Sequence, residues 1–489
     1  MSLRGCWPLR RAYLDRDGFN RAGAGAFAPR LAWSLVFVAM VPALLWPALA
    51  NRFPLVFYDT GGYLVPVFEQ ELHLGRSALY GAFLALGIPL DFWPNVVIQA
   101  ALAGWVVILT LRAHGFGRRP AGVLVVVLAL AAVTSLPWYA AQLMPDVLVP
   151  TAVLALYLVA LRRRALRRVE TVLLCAVVAF AVASHMGTLG LMLALLALIL
   201  ALRLVGARLA QPCVTAPAAA IVAGIALALL SNLATTGRFA FTPGGTTIAF
   251  TRLVDDGIVK RYLDAKCPTS VIRLCAFRDD LPEGRGEWLW NDDGPLAKLG
   301  GWQNYEDEAR RVILDSLAVF PGLHLKSVLS NTLEQFVRAA TGDGLVGWMW
   351  HTLWAMERYA PQVYPHFIAA RQQTEEFDFS WLNAVHVPVF LVSLAALPIL
   401  VGLSGNRVRR PAAALALFVF FAFLGNAAIC GAVASAYDRY QSRLAALAPL
   451  AVAIAALGWR RRSRRFSPSR HHAEGYPYRG ENPGPGTDV

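Results

Sequence analysis

Ten apolar runs of roughly membrane length, separated by arginine blocks, short polar loops and one long polar segment, constrain this chain more than any other feature. They cover 31–50, 94–111, 121–136, 147–161, 171–184, 187–202, 214–235, 387–403, 411–434 and 444–459. Crossing a hydrocarbon layer about 30 Å thick takes about twenty helical residues. Backbone polar groups have no water to bond there, so the helix is the only spanning form such runs can adopt. The pattern therefore predicts an all-α polytopic membrane protein with about ten transmembrane helices. The composition agrees, because 57% hydrophobic residues against 16% charged ones exceeds what a water-soluble core needs.

Sidedness follows from the basic residues, which collect in loops on the cytoplasmic side of a membrane. Arg112, Arg118 and Arg119, the block at 162–168, Arg203 and Arg208, then Arg407, Arg409 and Arg410, and finally the run after 459 alternate so that every block falls on one side. The expected organisation is a basic cytoplasmic N-terminus (1–30) and an N-terminal transmembrane module (31–235) with an outer loop at 51–93. A largely helical extracytoplasmic segment (236–386), C-terminal transmembrane helices (387–459) and a disordered cytoplasmic tail (460–489) complete it. The segment 236–386 holds 15 Lys and Arg against 19 Asp and Glu, which suits the side opposite the basic blocks. Within it, residues 306–320 and 323–337 carry apolar residues at helical spacing, split by Pro321-Gly322, and predict a helix pair packing on the membrane domain. The expected location is the inner, or plasma, membrane of a bacterium, with both termini cytoplasmic and the active face periplasmic.

The formal charge of +14 sits mainly in short blocks beside apolar runs, which points to membrane topology and not to nucleic acid. Ala48-Leu49-Ala50 resembles a signal-peptidase site, but the apolar run is long enough to span and the upstream region is too long for a signal peptide. Cys175 and Cys430 read as small buried thiols. Cys267 and Cys275 share a polar loop, where a short disulfide is compatible with an oxidising compartment. His471 and His472 read as a solvated pair in the tail. No internal repeat is evident, which weakens the class of transporters with duplicated halves. Gly-x-Ser-x-Gly, His-Glu-x-x-His and phosphate-loop patterns are absent from the sequence.

The residues that could carry chemistry cluster in three short stretches. Tyr58-Asp59-Thr60-Gly61-Gly62-Tyr63 follows the first span. Its glycine pair permits close backbone approach, and Asp59 could take a proton from a hydroxyl as a general base; the alternative is a surface turn whose Asp caps the next helix. Arg76 could pair a phosphate through its planar fork, or anchor at headgroup depth. Met144-Pro145-Asp146 and Ser184-His185-Met186 place an acid and an imidazole at comparable depth. Asp146 is either functional or a carboxylate at a helix start, and His185 either catalytic or a satisfied structural histidine. The last outer loop, Tyr437-Asp438-Arg439-Tyr440-Gln441-Ser442-Arg443, carries two arginines against the charge trend, four apart and so on one helical face. A phosphate at the outer leaflet would account for them, as would an ion pair with Asp438.

An Asp soon after the first span, an amphipathic outer loop with Arg before its second short helix, about ten spans and an Arg-Tyr pair before the last one resemble the GT-C superfamily of integral membrane glycosyltransferases. The resemblance covers mainly 31–202 plus the final loop. The chain is also similar to a group of long bacterial polytopic membrane proteins in the segments 252–257, 261–267 and 439–443. The GT-C resemblance implies a GT-C-like fold, a sugar donor linked to a polyprenyl phosphate, an inverting displacement, and a glycan, lipid or protein acceptor at the outer face. It implies Asp59 as the base, with Asp146 orienting the acceptor or a divalent cation and His185 as a further catalytic candidate. Arg439 and Arg76, with Arg443 and Tyr440 beside them, would hold the donor phosphate. Gly61, Gly62 and Tyr63 would shape the loop. Many GT-C members carry two adjacent acids where this chain has Asp59-Thr60, which leaves the metal unassigned. The six tryptophans Trp288, Trp290, Trp302, Trp348, Trp350 and Trp354 could roof the site by stacking on sugar rings or could anchor helices at the interface.

Two other classes remain at this level. A carrier or flippase for a lipid-linked glycan would need charged residues at mid-membrane depth, yet Gln99 and Asn426 are among the few strongly polar residues inside the runs. An envelope assembly scaffold would need only a partner-binding outer segment.

Overall fold

Each of the ten apolar runs forms a helix in the computed structural model, which describes residues 27–204, 212–241, 243–267, 272–403 and 411–466. The N-terminal module comprises α1 (Phe27–Asn51), the short α2 (Ala78–Ala85), α3 (Trp93–Leu111), α4 (Pro120–Val133), α5 (Leu148–Leu161), α6 (Arg168–Ser184), α7 (Met186–Leu204) and α8 (Thr215–Thr236). The long polar segment folds as α9 (Gly245–Asp255), α10 (Ile258–Lys266), α11 (Gly301–Val319), α12 (Pro321–Val337) and α13 (Trp350–Tyr359) with shorter turns between them. The chain closes with α14 (Ser380–Gly402), α15 (Pro411–Val433), the one-turn α16 (Asp438–Ser442) and α17 (Leu447–Phe466). Among the described residues the only extended pairing is one parallel bridge between Leu55 and Gln142.

Seven of the described helices are long and apolar enough to cross a membrane, and an eighth is added if α11 and α12, bent by 103° at Pro321, count as one broken span. The seven are α1, α3, α7, α8, α14, α15 and the stretch Asp438–Trp459. Helices α4 and α5 have 14 residues and α6 has 17, which at 1.5 Å per residue gives about 21 to 26 Å. Helix α5 is enclosed by protein, with every residue from Leu148 to Ala160 buried. A helix with no lipid neighbours has no bilayer thickness to match.

The basic loops meet at one end of the bundle. There Arg112 pairs with Glu170 at 2.7 Å, the Tyr157 hydroxyl donates to the Pro411 carbonyl at 3.1 Å, and the Cys213 N–H donates to the Ala160 carbonyl at 2.9 Å. These contacts join the loops that carry Arg112 and the 162–168 block. At the other end the Leu55 N–H donates to Ala141 at 2.9 Å and the Ser77 hydroxyl to the Ala183 carbonyl at 2.6 Å. Stretches distant in sequence, 51–80, 139–146, 183–186 and 434–443, converge there. Residues 1–26, Cys6, Arg208, Arg407, Arg409, Arg410 and the tail beyond Phe466 with His471 and His472 lie outside the described residues; α17 itself runs seven residues past 459.

The segment expected outside the membrane has a core of its own, built on Phe250, Tyr262, Trp288, Tyr305 and Val312. Cys267 and Cys275 are joined by a disulfide, with Cα atoms 5.5 Å apart. Trp288 is fully buried in this core and so belongs to no roof, whereas Trp290, Trp348, Trp350 and Trp354 are exposed. The bend at Pro321 is sharp because Pro cannot donate to the preceding turn.

Packing is tight where the first loop meets α2. A Cβ on Gly81 would stand 1.9 Å from the Tyr63 carbonyl oxygen, a contact that only a backbone shift can relieve. Gly81→Ala is expected to lower stability by about 1–3 kcal/mol, the usual cost of overpacking. Thermal unfolding in detergent against the parent chain reads this directly, and an unchanged midpoint would show that the two segments do not touch.

Candidate functional site

Asp59 is positioned by backbone contacts that its neighbours make with three remote segments. The chain before it is tied to 141–143 through the Leu55 bridge, and Gln372 clasps Val56 with a bond to each backbone group, at 3.0 and 2.8 Å. Thr60 is fully buried; its hydroxyl accepts from the Phe57 N–H at 2.8 Å and donates to the Leu143 carbonyl at 3.2 Å. Thr352, on α13, donates to the Phe57 carbonyl at 2.9 Å and accepts from the Gly61 N–H at 3.3 Å. The position after Asp59 therefore carries a hydroxyl occupied in holding the turn.

The glycines after Asp59 are required by close approach. A Cβ on Gly61 would lie 2.7 Å from the Ala355 Cβ, and one on Gly62 would lie 3.0 Å from the His73 ring. The Asp59 side chain does not cap the short helix Gly61–Tyr63. Its carboxylate faces two guanidinium groups, a close ion pair with Arg76 and a 3.5 Å contact with Arg439. Arg76 is thus turned into the protein, 11% exposed, and is no lipid anchor.

Arg439 bridges the two acids. Its second nitrogen lies 3.5 Å from Asp146, and its guanidinium sits 3.8 Å from the centre of the Phe57 ring. Asp146, 1% exposed at the start of the α5 region, also meets Arg443 at 3.1 Å, and Arg443, 2% exposed, donates to the Asn426 side-chain oxygen at 3.2 Å. Asn426 lies seven residues inside the C-terminal end of α15, so this pair is recessed by about 10 Å from that end. Tyr440 lies beside both arginines, each 5.5 Å from its ring centre.

The alternative reading of the last loop, an ion pair of Asp438 with Arg439 or Arg443, does not form. Asp438 bonds to Arg338 at 3.3 Å and accepts from the Ala340 N–H at 2.9 Å, while Asp343 accepts from the Arg439 N–H at 3.0 Å. Gln335 completes the clamp, exchanging bonds with both backbone groups of Tyr437 at 2.9 and 3.0 Å. The segment from α12 to Asp343 therefore sets the position of the loop and leaves Arg439 and Arg443 to the acids of the N-terminal module.

His185 lines the same recess as Arg76, Ser77 and Met186, and its ring contacts the Thr188 hydroxyl at 3.4 Å. Burial and then the nearby Arg443 push its pKa down to about 3, so it is neutral at physiological pH. Two histidines that the sequence reading did not single out also belong here. His73 and His351 stack with ring centres 5.4 Å apart and an interplanar angle of 21°. Burial, followed by Arg76, lowers both; His73 is brought to about 3. His73 could have been noticed as the histidine of the Asp59 loop, but nothing in the local sequence links His351 to it.

Three arginines and two aspartates leave the cluster with one surplus positive charge. Arg76 Nε and Arg443 Nε have no hydrogen-bond partner among the described residues. Such an arrangement can bind an anion and present a carboxylate beside it. Among the described residues no group of three or more His, Cys, Asp or Glu is arranged to hold a metal ion. Gln99 bonds to Tyr80 at 2.6 Å and to the Gln142 carbonyl at 2.8 Å and takes no part in the cluster. Comparison of the chain with protein-family models, with curated proteins and with solved structures returns no match.

Proposed function

We propose that this chain is an integral membrane glycosyltransferase of GT-C type, moving a sugar from a polyprenyl-phosphate donor to an envelope acceptor at the extracytoplasmic face. The observation that carries the reading is Asp59 set between Arg76 and Arg439, with Arg439 shared by Asp146, at the end of the bundle opposite the basic loops. Under the positive-inside rule that end faces away from the cytoplasm, with both termini cytoplasmic. Ten crossings follow if α4, α5 and α6 also traverse, and the enclosure of α5 by protein supports this.

In this reading the acceptor oxygen attacks the anomeric carbon, the bond from that carbon to the phosphate oxygen breaks, and the acceptor proton passes to Asp59. The leaving polyprenyl phosphate gains negative charge, which preorganised guanidinium groups stabilise as it develops. The arriving donor phosphate competes for Arg76 and Arg439, which releases the Asp59 carboxylate to face the acceptor hydroxyl. Asp146, itself paired with Arg443, holds Arg439 from behind, and neutral His185 in the recess and neutral His73 near Arg76 add hydrogen-bonding groups.

Mass spectrometry of lipid-linked sugars and envelope glycans in a deletion strain tests the proposal. The expected result is loss of one sugar from an envelope glycan with accumulation of its polyprenyl-phosphate donor, reversed by the parent gene. An unchanged glycan profile with normal donor pools would rule the reading out.

A further inference from the structure

Helix α12 has its polarity arranged the opposite way from a helix lying in water. Ser327, Asn331 and Gln335, four residues apart, face the protein. Ser327 and Asn331 bond to Asp256, the latter at 3.0 Å, and Gln335 bonds to the Tyr437 carbonyl at 2.9 Å. The opposite side carries Leu325, Leu329, Leu333 and Val337, between 52% and 71% exposed, with Lys326 near the helix start and Ser330 exposed beside them. In water the burial of apolar surface drives the reverse arrangement, apolar stripe inward and polar stripe outward.

The position of the helix explains the inversion. Its backbone lies against α15, where a Cβ on Gly431 would stand 2.6 Å from the Thr332 nitrogen, and the Phe336 ring lies 6.1 Å from that of Phe420. These contacts run from Phe420, near the middle of α15, to Gly431, near its end beside the candidate site, and α15 is one of the seven helices able to span. Over the same stretch, Phe421 and Leu424 of α15 are exposed, so the leucine stripe of α12 continues an existing apolar surface.

We infer that α12 is embedded in the bilayer beside α15, with Leu325, Leu329, Leu333 and Val337 against lipid acyl chains. The bend at Pro321 takes the chain from the separate core of α9–α11 into the hydrocarbon layer, and the clamp on Tyr437 and Asp438 brings it out beside the arginines. Every backbone group in the middle of α12 is bonded within the helix, as a hydrocarbon surround requires. The inference does not depend on the proposed reaction.

Carbene photolabelling tests it on the unmodified full chain, using an apolar diazirine dissolved in the acyl layer. The chain is labelled both in native membranes and in nanodiscs holding a single copy, and peptides are read by mass spectrometry. The α12 peptide is expected to take up label as strongly as the α15 peptide with Phe421 and Leu424, several-fold above the 258–266 peptide, in both settings. Labelling of α12 no higher than that of 258–266 would overturn the inference and return the helix to water. Labelling in single-copy nanodiscs with protection in native membranes would also overturn it, because another protein chain would then cover the stripe.

Discussion

Asp59→Asn is expected to abolish sugar transfer while the chain still folds and inserts. The substitution keeps the shape of the side chain and removes the basic oxygen, and loss of a positioned general base costs about 10²–10⁴-fold in rate. The turn should persist, because the hydroxyls of Thr60 and Thr352 and the amide of Gln372 hold it, not the carboxylate. Transfer of labelled sugar in membranes gives the rate, and elution as a monodisperse species in detergent confirms the fold. Asp59→Glu, which retains the group one methylene further out, should keep partial activity. Full activity in Asp59→Asn would remove this residue as the base and with it the proposed chemistry.

Asp146→Asn is expected to be the most destabilising single change at the site, by about 3–5 kcal/mol, because it strands buried guanidinium charge. Asp146 and Arg443 are 1% and 2% exposed, so water cannot replace the lost partner. The double variant Asp146→Leu with Arg443→Leu removes both charges and should recover much of that loss, since the penalty belongs to the unpaired ion and not to the missing pair. Denaturant or thermal unfolding of Asp146→Leu, Arg443→Leu and the double variant, taken as a cycle, isolates the coupling. A loss of less than about 1 kcal/mol in Asp146→Asn would mean that the pair behaves like one at the surface.

The two variants separate roles that the geometry joins. Asp59 is 19% exposed and paired with Arg76, while Asp146 lies behind Arg439 and out of reach of solvent. An activity loss without a stability loss is the signature expected of the first, and a stability loss that carries activity with it is that of the second.

Helix content, the positions of the ten apolar helices and the clustering of basic loops at one end were legible in the sequence. These depend on local composition: an apolar run of this length has few alternatives to a helix, and arginine beside it marks an end. The convergence of Asp59, Arg76, Asp146, His185, Arg439 and Arg443 was decided by tertiary packing. So were the choice of Arg338 over Arg439 as the partner of Asp438, the use of Thr60 as a turn lock, the stacking of His351 on His73, and the inverted face of α12. Each depends on which side of a helix meets which neighbour dozens to hundreds of residues away, and a one-dimensional pattern carries depth along the bundle but not rotation about its axis.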